Sequence, residues 1–567
     1  MSTEQTNTPM RIVVVGGVAG GASAATRARR MNEHAEIILL EKDGYVSFAN
    51  CGLPYYLGGE ITDREKLLVA KPELLRNRYN IDVRTHHLAS KINRDQKSIT
   101  VKNINTNETY NLAYDKLILS PGARPVVPPM PGIDAKHVYT LRSVEDTDRI
   151  KTYLENNLGT IQHVTVVGAG FIGLEMVEQL ASLGPKVMLV ELQNQVLPLL
   201  DRDMAIMLED EMTAKGIDVQ TGIAINEILQ DNTGHVNGVV FDSKQIKTDM
   251  VLMGIGVTPN HELAEAAELK LGKRGGITAN QDRQTNDPNI YAVGDASEYI
   301  YGVTGDMMRI PLAGPANRAG RVAGTHASNH KIDLTMPNVL GTSAVRVFGL
   351  SAAMTGMSLK NARQAYGQEA RCVTVTANDH VGYYPGATPI VLRLVYMQED
   401  GKIIGAQAIG KKGVDKRIDV IATLMHMKGT VRDLAGLDLV YAPPFGAAKD
   451  VVHQAAFAAS NELDGLIAII QPNEIDSTHT ILDVRTQGER QNASIPGSIH
   501  IPLDELRNRI GELDLSNSYA AICGSGLRSY IAARILLQRG FTSVINISGG
   551  MTGWLRMQKT TREPINQ

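Results

Sequence analysis

Arg11-Ile12-Val13-Val14-Val15-Gly16-Gly17-Val18-Ala19-Gly20-Gly21 reads as a buried strand, a glycine turn and the entry to a helix over Ala22 to Arg30. At such a turn, backbone N–H groups and a helix N-terminus approach a pyrophosphate, and a carboxylate about 20 residues on takes a ribose. Glu41, after Glu36-Ile37-Ile38-Leu39-Leu40, fills that role, although Val18 stands where the middle glycine of the pattern belongs. A cleaner copy begins at His163-Val164-Thr165-Val166-Val167 and continues through Gly168-Ala169-Gly170-Phe171-Ile172-Gly173, a helix to Leu183 and the strand Val187 to Val190. Glu191 closes it. An acid there accepts the ribose hydroxyls of NADH and repels the extra phosphate of NADPH, so NADH is favoured, with NADPH possible. Two such units predict an α/β fold with two Rossmann-like domains, one for FAD and one for the nicotinamide cofactor.

Length and composition fit several such cores. At 567 residues and 43% hydrophobic, the chain has room for roughly three to four domains. A net charge of −3 gives no global pull toward nucleic acid or acidic membranes. No run of 18 apolar residues occurs, and the leader Met1 to Pro9 is polar without lysine or arginine, which reads against a secretory signal. Three cysteines, Cys51, Cys372 and Cys523, fit a reducing compartment, and the cytoplasm is the expected location. Cys372 lacks any reactive context and reads as a small core hydrophobe.

Cys51 stands in Ser47-Phe48-Ala49-Asn50-Cys51-Gly52-Leu53-Pro54-Tyr55-Tyr56. A dithiol pair separated by four residues would need its second cysteine at 46 or 56, which are Val46 and Tyr56. A disulfide at Cys51 therefore needs an outside thiol.

Further along, Ile290-Tyr291-Ala292-Val293 runs into Gly294-Asp295-Ala296. Together with both glycine turns, this resembles the flavoprotein disulfide reductases, and the resemblance covers residue 11 to about 330. It implies that Gly16, Gly17, Ala19, Gly21, Glu41, Lys42, Asp295 and Ala313 hold FAD. It likewise implies that Gly168, Gly170, Gly173, Glu175, Glu191 and Gly256 serve the nicotinamide side; for Glu175 a surface or core salt bridge is the alternative. Ser120 to Pro125 and Gly254 to Asn260 fit the family's crossover segments. Its single-cysteine branch holds NADH peroxidases, NADH oxidases and coenzyme A-disulfide reductases. The peroxidases and oxidases carry a histidine in the first turn where this chain has Ala19, and Asn50-Cys51-Gly52-Leu53-Pro54-Tyr55 resembles the coenzyme A branch. That likeness implies a coenzyme A site from Ser23, Arg27, Arg30, Ser47, Asn50, Asn317, Arg321 and Lys449. The first three are spaced by four and three residues, which puts them on one helix face.

Gly341 to about Glu462 resembles the family's dimerisation domain. The resemblance implies a homodimer in which Tyr383 and Tyr441 reach the partner's Cys51 site; buried core tyrosines are the alternative. Beyond Glu462, Asp483-Val484-Arg485, Ile495-Pro496-Gly497-Ser498-Ile499 and Cys523-Gly524-Ser525-Gly526-Leu527-Arg528 resemble the rhodanese pattern. A loop of N–H groups at a helix N-terminus, with Arg528 nearby, stabilises anionic sulfur, so Cys523 is read as a persulfide carrier. The expected domains are 1–150 and 281–335 for FAD, 151–280 for the nicotinamide, 336–462 for dimerisation, 463–478 as a connection and 479–567 as the rhodanese-like domain. The implied activity is NADH- and FAD-dependent reduction of coenzyme A persulfide, polysulfide or CoA disulfide through a Cys51–CoA mixed disulfide, with Cys523 relaying sulfane sulfur. A plain CoA-disulfide reductase with a sensory rhodanese domain, and an NADH peroxidase or oxidase, are the alternatives. No metal, nucleic acid or membrane partner is expected.

Overall fold

The computed structural model describes residues 9–330 and 332–561, so most of the Met1 to Pro9 leader lies outside the described residues. The chain divides into two compact units, Met1–Leu192 with Ile223–Gly341, and Gln193–Gly222 with Thr342–Gln567.

The first unit contains both glycine-turn domains. Strand Arg11–Val15 lies at the centre of a parallel sheet in the order Ile290–Ala292, Lys116–Leu119, Arg11–Val15, Glu36–Leu40, Asp82–Arg84. Its apolar run is buried on both faces, as a parallel strand between helices requires. The late strand Ile290–Ala292 returns to this sheet, and so delivers the turn carrying Asp295 to the same end as the first glycine turn. The second sheet pairs Lys186–Glu191, His163–Val167, Met250–Met253 and Val138–Thr140 in parallel. Val138–Thr140 thus sits in the second sheet, ahead of the boundary expected at residue 150.

The second unit is built on an antiparallel sheet in the order Ser343–Val347, Leu350–Gly356, Ile403–Gly410, Pro389–Met397, Ala370–Asn378. Helix Arg202–Ala214, expected to belong to the nicotinamide domain, groups with this sheet instead. The buried Arg393 guanidinium explains why: it donates to Asp201 at 3.0 Å and to both oxygens of Asp203 at 2.8 and 2.6 Å. A five-stranded parallel sheet completes the unit, in the order Ala468–Ile470, Val544–Ile547, Tyr519–Ile522, Thr480–Asp483, Ile499–His500. The segment 463–478, expected to be a connection, therefore supplies an outer strand of this sheet. The apolar run Leu466 to Ile470 supplies this strand, which forms only against its partner Val544–Ile547, far along the chain.

Candidate functional site

The two glycine turns are structural copies. Gly16 N–H donates to Leu40 O at 2.8 Å and Gly168 N–H to Val190 O at 2.7 Å, which locks each turn to the neighbouring strand. The carboxylates complete the match: Glu41 accepts from Gly17 N–H and Glu191 from Ala169 N–H, both at 2.7 Å. A Cβ on Gly21 would lie 1.8 Å from Gly16 O, and one on Gly173 would lie 1.9 Å from Gly168 O. Only glycine lets each helix start this close to its strand. Burial pushes the Glu41 carboxyl up, against the pull of the Gly17 and Asp43 N–H groups.

A cavity of about 590 Å³ runs from the first turn to the neighbourhood of the cysteine. Gly16, Ala19, Glu41, Lys42, Asn50, Arg142, Gly294 and Asp295 are among the residues that line it. Ala313 begins the helix whose Ala316 closes one wall. These residues fit a flavin dinucleotide: glycine N–H groups for the phosphates, Glu41 for a ribose and Asp295 as a further polar contact. Over the second turn, a Cβ on Gly170 would meet nothing within 4 Å, which leaves room for a nucleotide; the same holds for Gly256.

Cys51 sits on the turn Asn50–Gly52, ahead of the short helix Leu53–Leu57, and is exposed. Desolvation heads the causes that push its thiol up, followed by the charges of Glu175 and Asp295, while Arg142 pulls it down. Glu175 is held by Tyr55, whose hydroxyl donates to Glu175 Oε1 at 3.1 Å. Arg142 donates to Asp295 Oδ2 at 2.8 Å. Asn50 Oδ1 is buried without a hydrogen-bond partner beside the cysteine. Ser47 takes a positive φ of 46° and donates its N–H to Gly17 O at 2.8 Å, tying the cysteine segment to the first turn.

Helices Ala19–Met31 and Ala313–Ala327 pack closely because Gly320 and Gly324 face the first helix; a Cβ there would lie 2.3 Å from Gly20 O or 2.4 Å from Ala24 O. This brings together five of the residues expected to hold coenzyme A. Ser23 Oγ donates to Asn317 Oδ1 at 2.5 Å, and Arg27 Nε donates to Thr325 Oγ1 at 2.8 Å. Burial, then the charges of Arg321 and Arg30, hold the Arg27 guanidinium below its ordinary value. Three mutually repelling cations gathered where these two helices meet are suited to an anion.

In the second unit, Tyr383 and Tyr441 hydroxyls lie 3.0 Å apart, and both side chains are exposed, so neither is a core tyrosine. Lys449, on the segment that follows Tyr441, is exposed. Cys523 is buried at the end of strand Tyr519–Ile522; its Sγ accepts from Gly526 N–H at 3.1 Å and Ser529 Oγ at 3.4 Å. Cys372 is buried, and desolvation pushes its thiol up to about 12, in keeping with an inert core residue.

Sequence reasoning missed Arg142, the Tyr55–Glu175 bond and Ser529. Arg142 precedes the helix cap Ser143 and belongs to no glycine or cysteine motif, so only folding reveals its link to Asp295. Ser529, directly after Arg528, was legible as a hydroxyl in the first turn of the last-domain helix.

The family described as pyridine nucleotide-disulphide oxidoreductase matches residues 10–320. The chain belongs to that family. Its dimerisation domain matches residues 342–453, and a rhodanese-like domain matches 466–557. The coenzyme A disulfide reductase of Staphylococcus aureus strain JH9 is 37% identical over 445 residues, covering 78% of this chain and 98% of that relative. The reduced Bacillus anthracis CoADR-RHD structure aligns with a TM-score of 0.94 and 46% identity, covering 97% of this chain and 99% of the other. A NAD-dependent persulfide reductase from A. fulgidus aligns with a TM-score of 0.89 and 36% identity, covering 96% and 100%. The protein is thus an oxidoreductase of a family that uses FAD and NAD(H). No helix among the described residues is long and apolar enough to cross a membrane.

Proposed function

We propose that this oxidoreductase reduces coenzyme A persulfide, polysulfide or CoA disulfide through Cys51, and that Cys523 receives sulfane sulfur and passes it on. The observation that carries the reading is the cation cluster of Arg27, Arg30 and Arg321 with the Ser23–Asn317 pair, in the unit whose single cysteine is Cys51. The named relatives support it. Flavin bound at the first turn and NADH at the second supply the two electrons that return a Cys51 mixed disulfide to the thiol.

The chain's own residues do the rest. The Cys51 thiolate attacks the inner sulfur of a CoA persulfide; a Cys51–S–S–CoA bond forms, and hydrosulfide leaves with the electron pair of the broken S–S bond. The arginines bind the phosphates of the carrier, and Asn50 Oδ1, buried and unpartnered, accepts a hydrogen bond from it. In a homodimer the exposed Tyr383–Tyr441 pair serves the other protomer's Cys51, binding or protonating the leaving thiol. Three free cysteines fit work in the reducing cytoplasm.

Intact mass spectrometry of the unreduced protein tests this. A thiol-reducible adduct of coenzyme A mass, lost in Cys51→Ser, is expected. An unmodified or merely oxygenated Cys51 refutes the coenzyme A reading in favour of peroxide or oxygen reduction.

A further inference from the structure

Between Cys523 and Arg528 the sulfur loop contains only Gly524, Ser525, Gly526 and Leu527, so Arg528 is the loop's single cation. That cation is already paired. Arg528 Nη1 lies 2.7 Å from Glu489 Oε2, and Nη2 lies 2.6 Å from Glu489 Oε1, a parallel two-bond contact. Glu489 is fixed in place, because it is the third residue of a helix cap in which Thr486 Oγ1 and Thr486 N–H donate to Oε2 at 2.9 and 3.1 Å. Arg528 holds its carboxyl down at about 2, so the acid is ionised at every physiological pH.

The pair lies against the loop. A Cβ on Gly524 would stand 3.1 Å from Arg528 Nη2 and 3.6 Å from Glu489 Oε1, so the carboxylate comes nearly as close to the loop as the guanidinium does. Two other arginines of the domain, Arg485 and Arg490, share Asp483 at 2.6 and 3.7 Å, and Arg490 is also tied to Ser498 Oγ at 3.1 Å. Two apolar side chains follow the loop: Leu527 is 66% exposed, and Ile531, one turn further along the helix, is 38% exposed.

A dianion such as thiosulfate needs an unpaired cation to approach a thiolate, whereas a persulfide on an organic thiol has at most one charge on its sulfur and an organic body that apolar side chains can cover. We infer that Glu489 makes Cys523 selective for persulfides carried by organic thiols over inorganic thiosulfate. The inference rests on the sulfur-carrying role proposed above for Cys523. In the step, the Cys523 thiolate attacks the outer sulfur of R–S–S–H. The donor S–S bond breaks, its electron pair leaves on R–S⁻, and a new S–S bond forms at Cys523 with the proton kept on the transferred sulfur.

The test uses the full-length holoenzyme and follows persulfide formation on Cys523 by quenched-flow mass spectrometry, with glutathione persulfide and with thiosulfate as donors. The organic persulfide should react faster in the wild type, and Glu489→Gln should raise the thiosulfate rate relative to it by about tenfold, since one nearby negative charge is removed. With the wild type alone, the thiosulfate rate should hold or rise as salt is added, because screening relieves repulsion. Equal wild-type rates, an unchanged ratio in Glu489→Gln, or a thiosulfate rate that falls with salt overturns the inference. Reduction of CoA disulfide at Cys51 reports whether the variant is folded, and the salt dependence needs no variant. If neither donor labels Cys523, the carrier role itself fails and takes this inference with it; if both label it equally, only the selectivity fails.

Discussion

Replacing Arg393 by methionine isolates the buried charge network that holds helix Arg202–Ala214 to the antiparallel sheet. Arg393 is 3% exposed and donates to Asp201, to both oxygens of Asp203 and, through Nε, to Thr374 Oγ1 at 3.0 Å. Breaking a buried ion pair by removing one partner costs about 3–5 kcal/mol, because the other charge is left in the interior. Asp201 keeps other donors, Leu359 N–H, Lys360 N–H and Gln407 Nε2, and the charge of Arg556 still acts on Asp203. The lower end, about 3 kcal/mol, is therefore expected. Burial pushes the Asp203 carboxyl up, but the charge and hydrogen bonds of Arg393 outweigh it and hold the carboxyl below its ordinary value. A depressed carboxyl stabilises the fold above its unfolded pKa, and that stability is lost as pH falls through the folded pKa. In the variant the pull of Arg393 is gone, burial outweighs what Arg556 still supplies, and ionised Asp203 becomes a penalty that grows as pH rises. The difference between the two proteins should thus be largest near neutrality and shrink as pH falls toward about 4. Urea unfolding followed by the fluorescence of Trp554, the single tryptophan, measures it, since its helix Gly550–Thr561 packs on Arg202–Ala214. A loss below about 1 kcal/mol at neutral pH, or a loss independent of pH, refutes the reasoning.

Glu175→Gln removes the larger of the two charges that raise the Cys51 thiol, so the pH midpoint of Cys51 alkylation by iodoacetamide should fall; an unchanged or higher midpoint would contradict the assigned cause. Gly324→Ala forces a methyl to 2.4 Å from Ala24 O and 3.0 Å from Arg27 Cβ. Overpacking of this kind costs about 1–3 kcal/mol, so a lower thermal midpoint is expected by scanning fluorimetry, together with a higher KM for CoA disulfide as Arg27 shifts. Wild-type values in both assays would show that the two helices can separate freely.

The glycine turns, Glu41, Glu191 and the strand-borne Asp295 were legible because each is a local pattern with a fixed spacing: strand, turn, helix and an acid at the end of the next strand. The Ser23, Arg27 and Arg30 face was legible from helical period, and Asn317 and Arg321 came from resemblance alone, since their approach depends on two glycines 294 or more residues from the residues they face. Arg142 and Tyr55 were not legible as site residues. Their roles come from partners at Asp295 and Glu175, more than 100 residues away, and no periodicity encodes such a meeting. The allegiance of helix Arg202–Ala214 escaped for the same reason: Asp201 and Asp203 look like ordinary helix-start acids until Arg393 is seen between them. The effect of Glu489 on the sulfur loop was not legible, because it lies in a pairing with Arg528 across the domain.

The strand Ala370–Asn378 forms the margin of its antiparallel sheet, with one row of backbone groups facing away from Pro389–Met397. Those groups are not bare. Thr374 N–H donates to Ser548 Oγ at 2.8 Å and Cys372 O accepts from Gln471 Nε2 at 3.1 Å, while the Arg371 side chain donates through Nη2 to Ile469 O at 3.0 Å. The C-terminal domain therefore acts as a cover for a pairing surface that would otherwise recruit a strand from another molecule. A chain shortened to end before residue 466 would keep every residue of the nucleotide turns and Cys51, yet expose that margin to self-association. Colloidal behaviour and sulfur chemistry are thus bound to the same stretch of polypeptide, and a truncated enzyme that precipitates would be reporting a lost cover rather than a lost catalytic part.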